Sequence, residues 1–223
     1  MTHEDHALCF PCRGASLYGV LSLPARPGSY GLLIVVGGPQ YRIGSHRQFV
    51  LLARAFAAAG YPVFRFDYRG MGDSEGDMRG FAEIDQDMQA AIGQFLAAAP
   101  SVQQIVVLGL CDGATAAMLY AHQDRRVSGL VLINPWAHTE AGEAKARLKH
   151  YYRARLFAPE LWRKITSGNF DYRRAARSLF RSVHDALLPA NAGGSQPSLP
   201  DRLHRACTLF QGEVLLILCG NDL

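Results

Sequence analysis

The sequence predicts an α/β protein with a doubly wound, mostly parallel sheet. Three observations predict it. Short runs with strand character alternate with amphipathic helical stretches along most of the 223 residues. Some strand runs are apolar throughout, as in residues 31–36 (Gly-Leu-Leu-Ile-Val-Val) and 214–218 (Val-Leu-Leu-Ile-Leu), the mark of strands covered on both faces. Glycine-bearing turns follow the carboxyl ends of these strands, where open α/β sheets hold their sites.

The elements follow in order. Residues 16–23 alternate in polarity and predict a strand, paired in a hairpin with 7–12. Residues 31–36 form the next strand. Ser45 is expected to cap a helix that runs to about Ala59, with Phe49, Leu52, Ala53 and Phe56 on one stripe, and Gly60 ends it. Residues 61–66 form a strand. A helix over about 81–98 places Phe81, Ile84, Met88, Ala91, Ile92, Phe95 and Ala99 at helical spacing. A strand at 104–109, a sharp turn and a helix from Ala114 follow, then strands at 127–133 and 214–218. The stretch between these last two breaks the rhythm. It contains basic amphipathic helices and a turn-rich patch at 191–200, and it reads as an inserted helical cap over 137–205. The core is then 1–136 with 206–223.

Hydrophobic residues make up 49% and charged residues 19%, which excludes wholesale disorder. No run of eighteen apolar residues occurs, so no transmembrane helix is expected. The opening Met1-Thr-His-Glu-Asp5 is not basic and no apolar stretch follows it, so no signal peptide is expected. Five scattered cysteines suit a reducing cytoplasm. Cys9 and Cys12 form a C-x-x-C without a second pair, a weak metal or redox signal. Residues 140–205 hold 13 Lys/Arg against 6 Asp/Glu, while the remainder is net acidic. No nucleic-acid motif accompanies this charge. A solvated helical face, or one that greets an anionic small-molecule substrate, is the expectation.

The chemistry centres on Gly109-Leu-Cys111-Asp112-Gly113, between an apolar strand and a helix. A nucleophile on a sharp strand–helix turn needs small residues two positions either side, and glycine supplies them at 109 and 113. The following helix aims N–H groups and its positive end at Cys111, which favours thiolate. Val36-Gly37-Gly38-Pro39-Gln40 ends an earlier strand and can expose N–H groups to an oxyanion.

Taken together these segments resemble the α/β-hydrolase family. Gly37-Gly38-Pro39 is similar to its oxyanion loop, Asp67-Tyr-Arg69-Gly70-Met-Gly72-Asp-Ser74 to a mainly structural loop near the site, and 109–113 to its nucleophile elbow. The resemblance narrows to the exosortase A system-associated hydrolases, type 1, of bacteria with exosortase and exopolysaccharide loci. It rests on residues 37–49, 66–76, 109–112, 134–136, 150–152 and 220–223.

The resemblance implies an α/β-hydrolase fold and hydrolysis, or acyl transfer, of an ester or thioester, with no metal and no cofactor. It makes Cys111 the nucleophile, as in dienelactone hydrolases, and Asp222 the catalytic acid. Oxyanion donors are Gly38, Asp112 and Gln40. The family's order is nucleophile, acid, histidine. The expectation is therefore that the triad histidine, with a closing helix and strand, lies beyond residue 223, and that residues 1–223 alone are nearly inactive. His46 is the in-chain candidate base, against a solvated residue of a first helical turn; His138 is a weaker one. From a different class, a non-catalytic binding or scaffold protein on the same fold is the alternative.

Overall fold

The computed structural model describes residues 2–38, 40–137 and 197–220. Two long strands, β1 (His3–Cys12) and β2 (Ala15–Pro24), form an antiparallel hairpin. Arg13 and Gly14 join them, both with positive φ (51° and 84°), as a two-residue turn with the twist of its strands requires. β3 (Tyr30–Val35) leads through α1 (Gln48–Ala58) to β4 (Val63–Phe66), and α2 (Asp85–Ala98) leads to β5 (Gln104–Leu110). Then come α3 (Asp112–Ala121), β6 (Val127–Ile133), α4 (Leu199–Leu209) and β7 (Glu213–Ile217).

Among the described residues one sheet has the order β1-β2-β4-β3-β5-β6-β7. β2 pairs antiparallel with β4, and all pairs from β4 to β7 are parallel. From β3 the chain goes first to one side, to β4, and then crosses back to β5 on the other. The order therefore reverses between β3 and β5. Their carboxyl ends diverge there and leave the crevice in which such sheets bind ligands.

Alternation along the strands sorts side chains to two layers. Leu33, Val35, Phe64, Phe66, Ile105, Val107, Leu130 and Leu132 face α2 and α3 and meet Met88, Ile92, Phe95 and Ala117. Leu32, Ile34, Val36, Val63 and Leu108 face the other way and meet Phe49 and Ala53 of α1. Among the described residues, that second face is thinly covered beyond α1. A cavity of about 530 Å3, lined by Leu52, Phe56, Val106, Val131, Leu215 and Ile217 among others, lies along it. All five residues of β7 are exposed.

Two local expectations are corrected. Ser45 does not cap α1. Residues 45–47 form a separate 3-10 turn in which His46 and Arg47 adopt positive φ (49° and 63°), and Arg47 stands at the N-cap without a side-chain bond. The buried stripe of α1 is Phe49, Val50, Ala53 and Ala57. Phe56 is exposed instead and meets Tyr61 edge-on at 6.3 Å. The C-x-x-C has no joint site: an odd spacing on a strand sends Cys9 to solvent and Cys12 to the core. The chain divides into two compact units, 1–137 with 202–223, and 138–201. Most of the expected cap lies outside the described residues.

Candidate functional site

Cys111 sits between β5 and α3 with φ 53° and ψ −119°. A non-glycine residue pays for this backbone conformation with steric strain, and only its surroundings can hold it there. The surroundings are visible. Cys111 N–H donates to the Ile133 carbonyl at 2.9 Å, and its own carbonyl accepts from Ala114 N at 3.0 Å and Thr115 N at 3.2 Å. A methyl group at Gly109 would strike the backbone of Gly113 and Ala114, and one at Gly113 would strike the Val35 carbonyl. The glycines expected at these positions are therefore required by backbone contact.

Gly37 is buried against the same turn. A methyl group there would meet Gly113 N at 2.5 Å, Asp112 N at 2.8 Å and the Leu110 carbonyl. The loop after β3 is thus packed directly on the start of α3, whose first N–H groups have no acceptor within the helix. The next residue, Gly38, has φ 64°, and open space surrounds the position of its missing side chain. Gly38 thus follows β3 and Asp112 opens α3 after β5, in the two segments that Gly37 brings into contact. Gln40 is partly buried, and its Oε1 accepts from Ser45 N at 3.3 Å, which steadies the loop.

The electrostatics at Cys111 have two opposed parts. The amino end of α3 favours a thiolate. The Asp112 carboxylate, 3.9 Å from Sγ, accepts from the thiol and opposes one. Tyr68 is buried nearby; burial, then the charges of Asp112, Asp87 and Asp67, push its hydroxyl above its ordinary pKa.

The loop at 67–74 is fixed by buried ion pairs and hydrogen bonds. Asp67, its side chain fully buried, accepts from Arg42 N at 2.6 Å, from the Arg42 guanidinium and from Asp73 N at 3.3 Å. Burial raises the Asp67 carboxyl while these donors lower it. Burial lowers Arg42 as well, but Asp73 and Asp67 outweigh it and hold the guanidinium above its usual value. The two partners point opposite ways; the donors converging on one carboxylate favour the ionised pair. Ser74 Oγ donates to the Asp67 carbonyl at 2.6 Å and accepts from Tyr18 N at 3.0 Å, tying the loop to β2. Arg69 donates to buried Asp87 through its backbone N at 2.9 Å, Nε at 2.8 Å and a terminal guanidinium nitrogen at 2.7 Å. Gly70 and Gly72 both have positive φ, and a methyl group on Gly72 would strike the Asp67 carboxylate.

His46 is exposed in the 3-10 turn before α1. Asp222 and His138 lie outside the described residues. Sequence reasoning missed Arg42, Asp87 and Asn134. Buried Asp67 and Arg69 each demand a counter-charge, and that demand is the signal that leads to Arg42 and Asp87. Asn134 carried a signal too. It precedes a proline, which disfavours the right-handed region, and asparagine tolerates the left-handed one. Its φ is 45°. Among the described residues no cluster of three or more His, Cys, Asp or Glu could hold a metal, and no helix is long and apolar enough to cross a membrane.

Comparison with known proteins adds the following. Residues 33–179 match the family model described as serine aminopeptidase, S33. No curated protein matches the sequence. The esterase Pf2001 of Pyrococcus furiosus is similar in structure, with a TM-score of 0.62 and 14% identity over 97% of this chain and 82% of that one. The α/β hydrolase GrgF from Penicillium is similar at TM-score 0.58 and 15% identity, over 98% of this chain and 90% of that one. Est1E of Butyrivibrio proteoclasticus, solved with ferulic acid, is similar at TM-score 0.51 and 21% identity over 58% and 53%. At these identities the likeness is one of fold.

Proposed function

The chain belongs to the serine aminopeptidase S33 family, within the α/β-hydrolases, and from that premise we propose that it cleaves, or transfers the acyl group of, a carboxylic ester or thioester through Cys111. The observation that carries this reading is the strained backbone of Cys111 with Gly37 packed against the same turn. It is the geometry that lifts a nucleophile out of a strand–helix turn beside oxyanion donors.

In this mechanism the Cys111 thiolate attacks the acyl carbon. The carbonyl electrons move to oxygen, which takes hydrogen bonds from Gly38 N–H and Asp112 N–H, with Gln40 as a further donor. Each such donor contributes about 3 kcal/mol. The tetrahedral species collapses, the bond to the leaving alcohol or thiol breaks, and an acyl-cysteine remains. Water, or another alcohol for transfer, attacks that thioester and restores the thiol. A histidine base oriented by Asp222 takes the thiol proton and returns it to the leaving group. His46 is the base candidate among the described residues. The segment 137–205 forms the substrate-binding cap in this reading, and its basic charge suits an anionic acyl group. The five cysteines, none of them in a disulfide, suit the cytoplasm in this reading. The blocks at 37–49 and 66–76 support a link to exosortase and exopolysaccharide systems.

One observation favours a second reading, a non-catalytic binding protein on this fold: the Asp112 carboxylate opposes the thiolate the chemistry needs. One experiment decides. The protein is mixed with p-nitrophenyl acyl esters and acyl thioesters, quenched in acid and mapped by mass spectrometry. Acyl mass on the peptide bearing Cys111, lost in Cys111→Ala together with turnover, supports the enzyme. Turnover unchanged in Cys111→Ala, or ligand binding without acylation, overturns it.

A further inference from the structure

Tyr68 follows β4 by two residues, so alternation puts its side chain on the face of Phe64 and Phe66. It belongs to the same buried cluster as those two rings, Met88 of α2 and Ala114 of α3. The amino end of α3 lies on this face too. Gly37 stands two residues beyond Val35 on β3, the strand between β4 and β5, and a methyl group on it would meet Asp112 N and Gly113 N. A phenol only 5% exposed is thus set into the core on the side where α3 begins.

Three carboxylates act on the Tyr68 hydroxyl: Asp112 of α3, Asp87 of α2 and Asp67 at the end of β4. Two of them are already engaged. Asp67 pairs with Arg42, and Asp87 pairs with Arg69. Among the described residues Asp112 has no such cation, and its carboxylate takes the Cys111 thiol at 3.9 Å, a long bond from a weak donor. The Tyr68 hydroxyl takes no hydrogen-bond partner among the described residues. Burial and the three charges all keep the proton on Tyr68, so it enters a bond to a carboxylate as the donor. Of the three acceptors, Asp112 is the one with capacity to spare.

We propose that Tyr68 is a positioning residue for the thiolate: when Cys111 ionises, the Asp112 carboxylate leaves Sγ and accepts a hydrogen bond from the Tyr68 hydroxyl. The thiol proton goes to the base or to water, and the phenol keeps its own. The role rests on the reading of Cys111 as a thiolate nucleophile. The carboxylate that opposes the thiolate then has a second place to go, and its charge is drawn off the sulfur toward a donor.

The test is a double-mutant cycle on alkylation of Cys111 by iodoacetamide, followed by peptide-resolved labelling from about pH 5 to 10. Tyr68→Phe keeps the ring and loses the donor. Its alkylation at pH 7 should slow about threefold to tenfold, the net worth of one hydrogen bond. The whole profile should move to higher pH by about half a unit or more, with the limiting rate at high pH unchanged. In an Asp112→Asn background the same substitution should change the rate by less than about 1.5-fold, because the two residues act through one group. Equal slowing in both backgrounds, or a limiting rate that falls as well, gives the hydroxyl a structural role and overturns the proposal. An unmoved profile, or a Tyr68→Phe protein that fails to fold, overturns it too. Turnover of p-nitrophenyl acetate is measured on the same proteins, with Cys111→Ala beside them. If Cys111→Ala hydrolyses the ester as fast as the parent, the nucleophile reading fails, and the alkylation cycle alone decides whether Tyr68 draws Asp112 off the sulfur.

Discussion

The Asp112 carboxylate stands 3.9 Å from Sγ of Cys111, on the residue whose backbone N–H faces the Gly37 loop. In the proposed mechanism one residue thus carries an oxyanion donor on its main chain and a charge adverse to the thiolate on its side chain. At 4 Å in a water-accessible setting such a charge is worth about 1 kcal/mol. Asp112→Asn should therefore speed alkylation of Cys111 by iodoacetamide at pH 7 about fivefold and leave Cys9 and Cys207 unaffected. Peptide-resolved labelling rates measure this, and an equal or slower rate at Cys111 contradicts it.

Gly37 and Gly38 should respond differently to alanine. At Gly37 the added methyl group meets backbone on three sides. Overpacking of that kind costs about 2–3 kcal/mol, or about 5–10 °C in Tm. At Gly38 the space is open and only the left-handed conformation is penalised, by about 1 kcal/mol. The Gly38→Ala protein should melt within about 4 °C of the parent yet lose ester turnover, since the methyl group enters the crevice. Thermal melts paired with turnover separate the two cases.

Tyr120 and Asp124 contribute at opposite ends of the pH–stability curve. Tyr120 hydroxyl donates to Asp124 Oδ2 at 2.6 Å, and Arg126 pairs with the same carboxylate at 2.6 Å. Burial raises the Asp124 carboxyl, but the bonds from Arg126 and Tyr120 outweigh it and hold it below 3.8. A depressed carboxyl stabilises the fold above its unfolded value and loses that contribution as pH falls through the folded one. Tyr120 is raised well above 10, first by burial and then by Asp124. Its contribution is complete below pH 10 and is lost as pH climbs beyond. Urea midpoints across pH should show Asp124→Asn flattening the acid side and Tyr120→Phe flattening the alkaline side.

The basic stretch at 140–205 predicts electrostatic steering. An ester with an anionic acyl group should be cleaved faster than a neutral one of equal size, and the advantage should shrink as salt rises from about 10 to 150 mM. Neutralising Arg153 and Arg155 together should reduce the advantage without slowing the neutral ester. A preference that salt does not change would assign these arginines to the protein surface alone.

Much of this fold was legible because its signals are local. The strand at 31–36 follows from unbroken apolar character, and the turn at Arg13-Gly14 is the short link of an alternating hairpin. The glycine at 109 was legible because it is set by Gly113 and Ala114, within five residues of it; the contact of Gly113 with Val35 was not. What escaped depends on partners distant in sequence. Asn134 reaches Cys219 across 85 residues, and Arg42 reaches Asp67 across 25. The misplaced cap at Ser45 has another cause. Hydroxyl residues suit N-caps, but His46 and Arg47 are driven into left-handed conformations as the Gly37–Gly44 loop returns to α1, and propensity cannot register that constraint.

The backbone of Cys111 has a consequence for how such a protein changes under selection. Its φ of 53° and ψ of −119° lie in a region that glycine occupies freely. Cys111→Gly should therefore relieve strain, and the protein that loses its thiol should melt at a higher temperature than the one that keeps it. In the proposed mechanism stability and chemistry compete at this residue, and a lineage released from selection for turnover can drift here toward a sturdier, inert relative.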